Sequence, residues 1–285
     1  MTIKKCRKIG VMQGRLLPKY KGRYQAHPVG TWTEEFQIAR DLELSNIEFI
    51  FDYEDVGRNP LSSTSGIEQI RKISRQSGVK VDTICADYFM EAPIHSTDQS
   101  TSSKSLSILE LLIKNCHELG ASEIVMPCVD HASLNSKDAT SRLVDGLQKI
   151  EELLNLYRMK ISLETDLGPQ EFANLLERIS IERVTVNYDI GNSAALGFDP
   201  EEEFAAYGQL ITDVHIKDRI KGGGPVELGT GDADIKKVIS LLNEKKYTGP
   251  FIMQAYRDDE GVEIFRRQLR FFLDLLDQDL ETENL

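Results

Sequence analysis

Positive charge is in short supply in this 285-residue chain: 34 Lys and Arg stand against 46 Asp and Glu, a formal net charge of -12. That average field repels phosphate-rich polymers and anionic membranes, so nucleic acid and lipid surfaces are poor partners. Cysteine is sparse too. The four present, Cys6, Cys85, Cys116 and Cys128, form no Cys-x-x-Cys pair, so a disulfide scaffold is excluded and the thiols read as free. No apolar run reaches membrane-spanning length, and the basic opening MTIKKCRKIGVMQGR lacks the apolar core of a secretory signal; a cytoplasmic location is expected. Linkers, close repeats and low-complexity tracts are missing as well. A single domain over residues 1–278 is expected, with 279–285 as a short acidic tail.

What is present is an alternation. Eight β-rich bursts recur, at 8–14, 46–52, 79–87, 123–130, 161–166, 184–190, 211–218 and 251–254. Between them lie apolar residues at helical spacing, for example Leu143, Leu147, Ile150 and Leu154. Strands alternating with helices imply parallel strands joined by crossovers, and near-continuous apolar strands imply burial on both faces. Eight such units predict an α/β protein, a single-domain (β/α)8 TIM barrel. An open doubly wound sheet would want a Gly-x-Gly-x-x-Gly turn after an early strand, and GVMQGR does not supply one.

In such a barrel the chemistry sits at the C-terminal ends of the strands. The fifth to eighth bursts end on Glu164, Asp189, His215 and Gln254, at intervals of 25, 26 and 39 residues, about one polar group per unit. Two carboxylates, an imidazole and an amide oxygen suit one divalent ion of the manganese, magnesium, cobalt or zinc kind. The plainer reading makes them buried ion pairs, a core histidine and a polar plug, but four such groups on four successive strands favour a site.

The order ISLETD, VNYDIGNS, DVHIKDR, GGGPVELGTGDADI and FIMQAYR resembles the xylose isomerase-like barrel superfamily, and within it the sugar-phosphate isomerase/epimerase group. The resemblance runs from GVMQGRL to about Leu276. It implies a metal-dependent isomerase or epimerase of a sugar or sugar phosphate, working through an enediolate, with metal ligands Glu164, Asp189, His215 and Gln254 and with Glu164 as base. A homodimer is also implied.

Many relatives carry glutamate where Gln254 stands. An amide ligates through oxygen but takes no proton, which tilts the expectation from two-base epimerase toward one-base aldose-ketose isomerase. Arg15, Arg219 and Arg257 follow strands one, seven and eight, and KGGGP with LGTG offers backbone N–H groups, so a phosphorylated or acidic sugar is expected while an unphosphorylated one stays open. Asn192 is a further substrate contact, and Glu48, Asp87, His131 and Lys217 are candidate supporting groups. The alternatives are a keto-polyol dehydratase on the same barrel, or a sugar-binding barrel altered by the loss of the second acid at Gln254.

Overall fold

The computed structural model describes residues 8–283, with side chains described through residue 279. Cys6 lies outside the described residues; Cys85, Cys116 and Cys128 are free and buried. Seven strands come in order: β1 (Ile9–Met12), β2 (Asn46–Ile50), β3 (Thr83–Cys85), β4 (Glu123–Cys128), β5 (Lys160–Thr165), β6 (Val184–Asp189) and β7 (Ile211–Ile216). A short antiparallel pair follows, β8 (Asp218–Arg219) with β9 (Pro225–Val226), and then β10 (Phe251–Met253). β1 to β7 and β10 pair in parallel and close into a barrel, with β10 lying between β7 and β1. The expected (β/α)8 architecture is therefore the observed one.

Each strand buries one side against helices and the other inside the barrel. On the outside, Phe49, Ile84, Ile124, Leu163, Val214 and Phe251 belong to one continuous core with the helices. The helix Lys137–Tyr157 shows how the sequence dictates this: Ser136 accepts from the Ala139 N–H at 3.1 Å to start it, and Leu143, Leu147, Ile150 and Leu154 form its buried stripe. Fully burying one such leucine contributes about 2 kcal/mol. Trp32 also packs here, edge-on to Phe36 and Phe49 at 6.0 and 5.5 Å between ring centres, so it is a core residue.

Two stretches extend helical structure beyond what polarity alone suggests. The polar run 96–105 reads as an exposed loop entering a helix, and the helix Gln99–Leu119 begins inside it, where Asp98 accepts from the Thr101 N–H at 2.9 Å. The final helix, Val262–Glu283, runs through most of the acidic stretch expected to leave the barrel. Among the described residues no helix is long and apolar enough to cross a membrane.

Candidate active site

Glu164, Asp189 and His215 stand near the C-terminal ends of β5, β6 and β7, and one ligand atom from each lies within 4.8 Å of the others. His215 Nδ1 is 3.7 Å from Glu164 Oε2 and 3.9 Å from Asp189 Oδ2. The other ring nitrogen, Nε2, lies 2.8 Å from Glu48 Oε1, and Glu48 Oε2 accepts from the Thr83 hydroxyl at 2.7 Å. A proton on Nε2 facing Glu48 leaves the Nδ1 lone pair facing the two carboxylates, the arrangement of a metal-binding histidine oriented by an acid behind it. Asn187 agrees with that assignment, because its amide group donates both to Glu164 Oε2 at 3.1 Å and to Nδ1 at 3.2 Å. Burial lowers the His215 pKa, but Glu48, Glu164 and Asp189 outweigh it and the net shift is upward.

The sequence DIGNS builds the next layer. Asp189 Oδ1 accepts from the Asn192 N–H at 2.8 Å and so caps the helix Ile190–Leu196, which leaves Oδ2 for the site. A side chain at Gly191 would press within 2.7 Å of the Lys217 stem, so glycine is what lets this helix close on β7. The Asn192 amide in turn donates to Glu164 Oε1, so Glu164 is held through both oxygens. Behind the helix, the Ser193 and Tyr188 hydroxyls both donate to the buried Glu203 carboxylate. Burial, with the Asp189 charge next in weight, pushes the Glu164 carboxyl up to about 7, against the pull of His215, Lys217 and the Asn192 amide.

Gln254 follows β10 directly. Its Oε1 accepts from Lys217 Nζ at 3.0 Å, the same ammonium lies 3.2 Å from Asp189 Oδ2, and its Nε2 donates to Gln25 Oε1 at 3.1 Å. Two carboxylates and an unprotonated imidazole nitrogen facing one point fit a divalent cation, and the amide oxygen already faces a cation beside them. Glu48, Asp213 and His215 form a second buried acid–histidine group, using the other face of the same ring. Only the first group opens, through Glu164, into a cavity of about 400 Å3.

That cavity gathers most of the residues singled out from the sequence: Arg15, Asp87, Asn192, Lys217, Arg219 and Gln254 all line it with Glu164. Glu48 sits deeper, under His215. Arg257 is elsewhere. The expectation of an anion hook gives way to a bracing role, because its guanidinium donates to the Gly14 and Leu17 carbonyls at 2.6 Å each and is buried against the loop after β1. His131 is also outside the cavity, exposed and 4.0 Å from Glu91; its neighbour Asp130, in a left-handed conformation at φ 51°, is the one that lines the wall. The backbone N–H groups of LGTG and of the residues just after it are likewise not free: Gly229, Gly231 and Ala233 donate to the carboxylate of Asp218.

Asn187, Asp166 and Gln25 also contribute. Asn187 carried a signal, since two residues before Asp189 on a strand means the same side of the sheet. Gln25, in the long connection after β1, carried none, yet it links Gln254, Arg15 and Asp87. Asp166 sits just past the end of β5 on the cavity wall.

The family model described as xylose isomerase-like TIM barrel matches residues 36–275. An L-ribulose-5-phosphate 3-epimerase of Salmonella paratyphi A is 24% identical over 249 residues, covering 82% of this chain and 86% of the relative, and its Escherichia coli counterpart matches over the same shares. Among solved structures, an L-ribulose 3-epimerase superposes with a TM-score of 0.76 at 16% identity, covering 98% of this chain and 97% of the other. A D-allulose 3-epimerase from Methylomonas sp. gives 0.72 at 15% identity, covering 94% and 96%.

Proposed function

The chain belongs to the xylose isomerase-like TIM barrel family, and from that premise we propose that it is a metal-dependent enzyme that moves a proton beside the carbonyl of a sugar or sugar phosphate, as an isomerase or epimerase. The observation that carries this reading is the convergence of Glu164, Asp189 and His215 Nδ1 beside a sugar-sized cavity that Glu164 lines. The curated relatives being sugar epimerases supports the same class of chemistry.

In this reading Glu164, Asp189 and His215, with the Gln254 amide oxygen, would hold manganese, magnesium, cobalt or zinc, and that ion supplies Lewis-acid polarisation of the sugar carbonyl when bound. The chain's own residues do the rest. Glu164, its two oxygens steered by Asn187 and Asn192, takes the proton from the carbon next to the carbonyl and gives an enediolate. Return to the neighbouring carbon on the same face completes an aldose-ketose isomerisation with Glu164 alone. Return from the opposite face completes an epimerisation and needs a second group; Gln254 cannot serve, whereas Lys217 and Asp87 line the same cavity.

The test is deuterium incorporation from heavy water into a panel of ketoses and their phosphates, followed by NMR, on protein loaded in turn with each ion. Exchange that disappears with chelator and returns with metal is the expected result. A fully loaded protein that exchanges no carbon-bound proton across the panel refutes the reading and leaves a sugar-binding barrel, which the Lys217–Gln254 contact would then explain.

A further inference from the structure

We propose that the cavity takes an uncharged sugar or polyol in preference to its phosphate ester, an inference that rests on the sugar-binding reading above and narrows it. A phosphate dianion needs unspent donors. Three cationic side chains line the cavity, and each already gives more than half of its N–H donors to the protein. Arg15, buried, donates to the Ala255 carbonyl at 3.1 Å, the Tyr24 carbonyl at 3.1 Å and Gln25 Oε1 at 2.9 Å. Arg219 closes on the Gly223 carbonyl through Nε at 3.1 Å and Nη2 at 2.7 Å, and gives Nη1 to Asn192 Oδ1 at 2.8 Å. Lys217 is shared between Asp189 and Gln254.

The glycine-rich loop, where a phosphate might be cradled by backbone N–H groups, already contains an anion of its own. Asp218, buried, accepts from Gly229 at 2.9 Å, Gly231 at 3.0 Å and Ala233 at 3.1 Å. The fit is built in covalently: a side chain at Gly231 would lie 2.2 Å from Asp218 Oδ1, so the loop wraps its carboxylate as closely as glycine allows. Gly222 and Gly223 are closed in the same way, on the Ala195 and Ile220 carbonyls at 2.8 and 2.7 Å.

What faces the cavity unpaired by cations is acceptor-rich. Asp87, Asp130 and Asp166 line the wall; Asp87 is tied only to neutral groups, the Gln25 amide at 2.8 Å and the Cys85 thiol at 3.2 Å, and among the described residues Asp130 and Asp166 have no ion-pair partner. Hydroxyl groups donate to carboxylates, so a polyhydroxylated ligand satisfies this wall. A phosphate brings more acceptors to it, and desolvating that charge without a partner is costly.

Matched pairs decide the matter on the full-length wild-type protein loaded with manganese: ribulose, tagatose and allulose, each against its terminal phosphate ester. Deuterium exchange gives kcat/KM and isothermal titration gives Kd for every compound. The expected result is a preference for the free sugar of about tenfold or more in both measures, with inorganic phosphate failing to displace it. A phosphate ester that exchanges as fast as its free sugar, or binds as tightly, overturns the proposal while leaving the proton-transfer reading intact. Free sugars that bind more tightly but never exchange uphold the proposal and sink that reading instead. Binding of neither member of any pair overturns both.

Discussion

The barrel interior has two walls made of opposite materials. Met12, Ile50, Cys85, Val125 and Ile252, from β1 to β4 and β10, form a separate apolar cluster with no charge among them. Across from them, β5, β6 and β7 supply Glu164, Asn187, Asp189, Asp213 and His215, all buried, with Glu48 of β2 reaching over to the histidine. The first wall is what a folding chain gains from; the second is what it gives up, since a buried carboxylate costs several kcal/mol unless paired. Glu48, Thr83 and Glu123 of β2, β3 and β4 are buried too, so what sets β5, β6 and β7 apart is Glu164, Asp189 and His215 near their C-terminal ends, and these are there for something other than stability. The apolar wall has a part in that function as well, because it keeps the dielectric low and so strengthens the fields between the charged groups facing it.

If the division holds, changes on the polar wall should alter chemistry and leave folding intact, and changes on the apolar wall should do the reverse. Glu164→Gln tests the first half most severely. Exchange should fall by roughly three orders of magnitude, while the melting temperature stays level or rises because a buried charge has gone; little loss of exchange would remove Glu164 from the role of base. Ile50→Ala tests the second half. It should cost about 3 kcal/mol in denaturant unfolding with metal affinity close to wild type, and a large loss of metal binding would show that the two walls are coupled. Glu48→Gln is subtler, because Glu48 touches neither cavity nor cation and acts by fixing which nitrogen of His215 is free. Metal affinity should weaken by about 10- to 100-fold, read by competition with a chelator, while Ile50→Ala should leave that constant alone.

The two walls were not equally visible in the sequence. Apolar bursts that stop on a polar residue marked all eight barrel strands, and the polar wall followed because Glu164, Asp189 and His215 fall at those stops. The clustering of Glu164, Asp189 and His215 was thus readable from strand ends alone. The loops were not. An arginine after a strand looks the same whether its side chain lines a cavity, as that of Arg219 does, or is buried away from it on two backbone carbonyls, as that of Arg257 is, and the choice depends on where the neighbouring loops come to rest. A shift of one residue had the same effect at β4, where a left-handed turn presents Asp130 and turns His131 to solvent. Likewise the glycines of LGTG were legible as an N–H cradle, but their occupant, Asp218, is only three residues past His215 and could be recognised only once the loop folded back.

Gln254 lies where the two walls meet, next in sequence to the apolar Ile252–Met253 pair and bonded to Lys217 on the polar side. Gln254→Glu changes one heavy atom and adds one charge, so it sharpens the comparison at its seam. A carboxylate there joins Asp189 around the same ammonium and adds charge to the ligand set, which should tighten metal binding on the order of tenfold. It also provides a proton acceptor that the amide lacks. The informative readout is therefore a ratio: deuterium delivered with inversion at the exchanging carbon against deuterium delivered to the neighbouring carbon. A rise in that ratio in the variant identifies the amide as what limits the wild-type protein to one face of its substrate. An unchanged ratio, with inversion already present in wild type, assigns the second face to Lys217 or Asp87, and Asp87→Asn then separates those two by removing only the carboxylate.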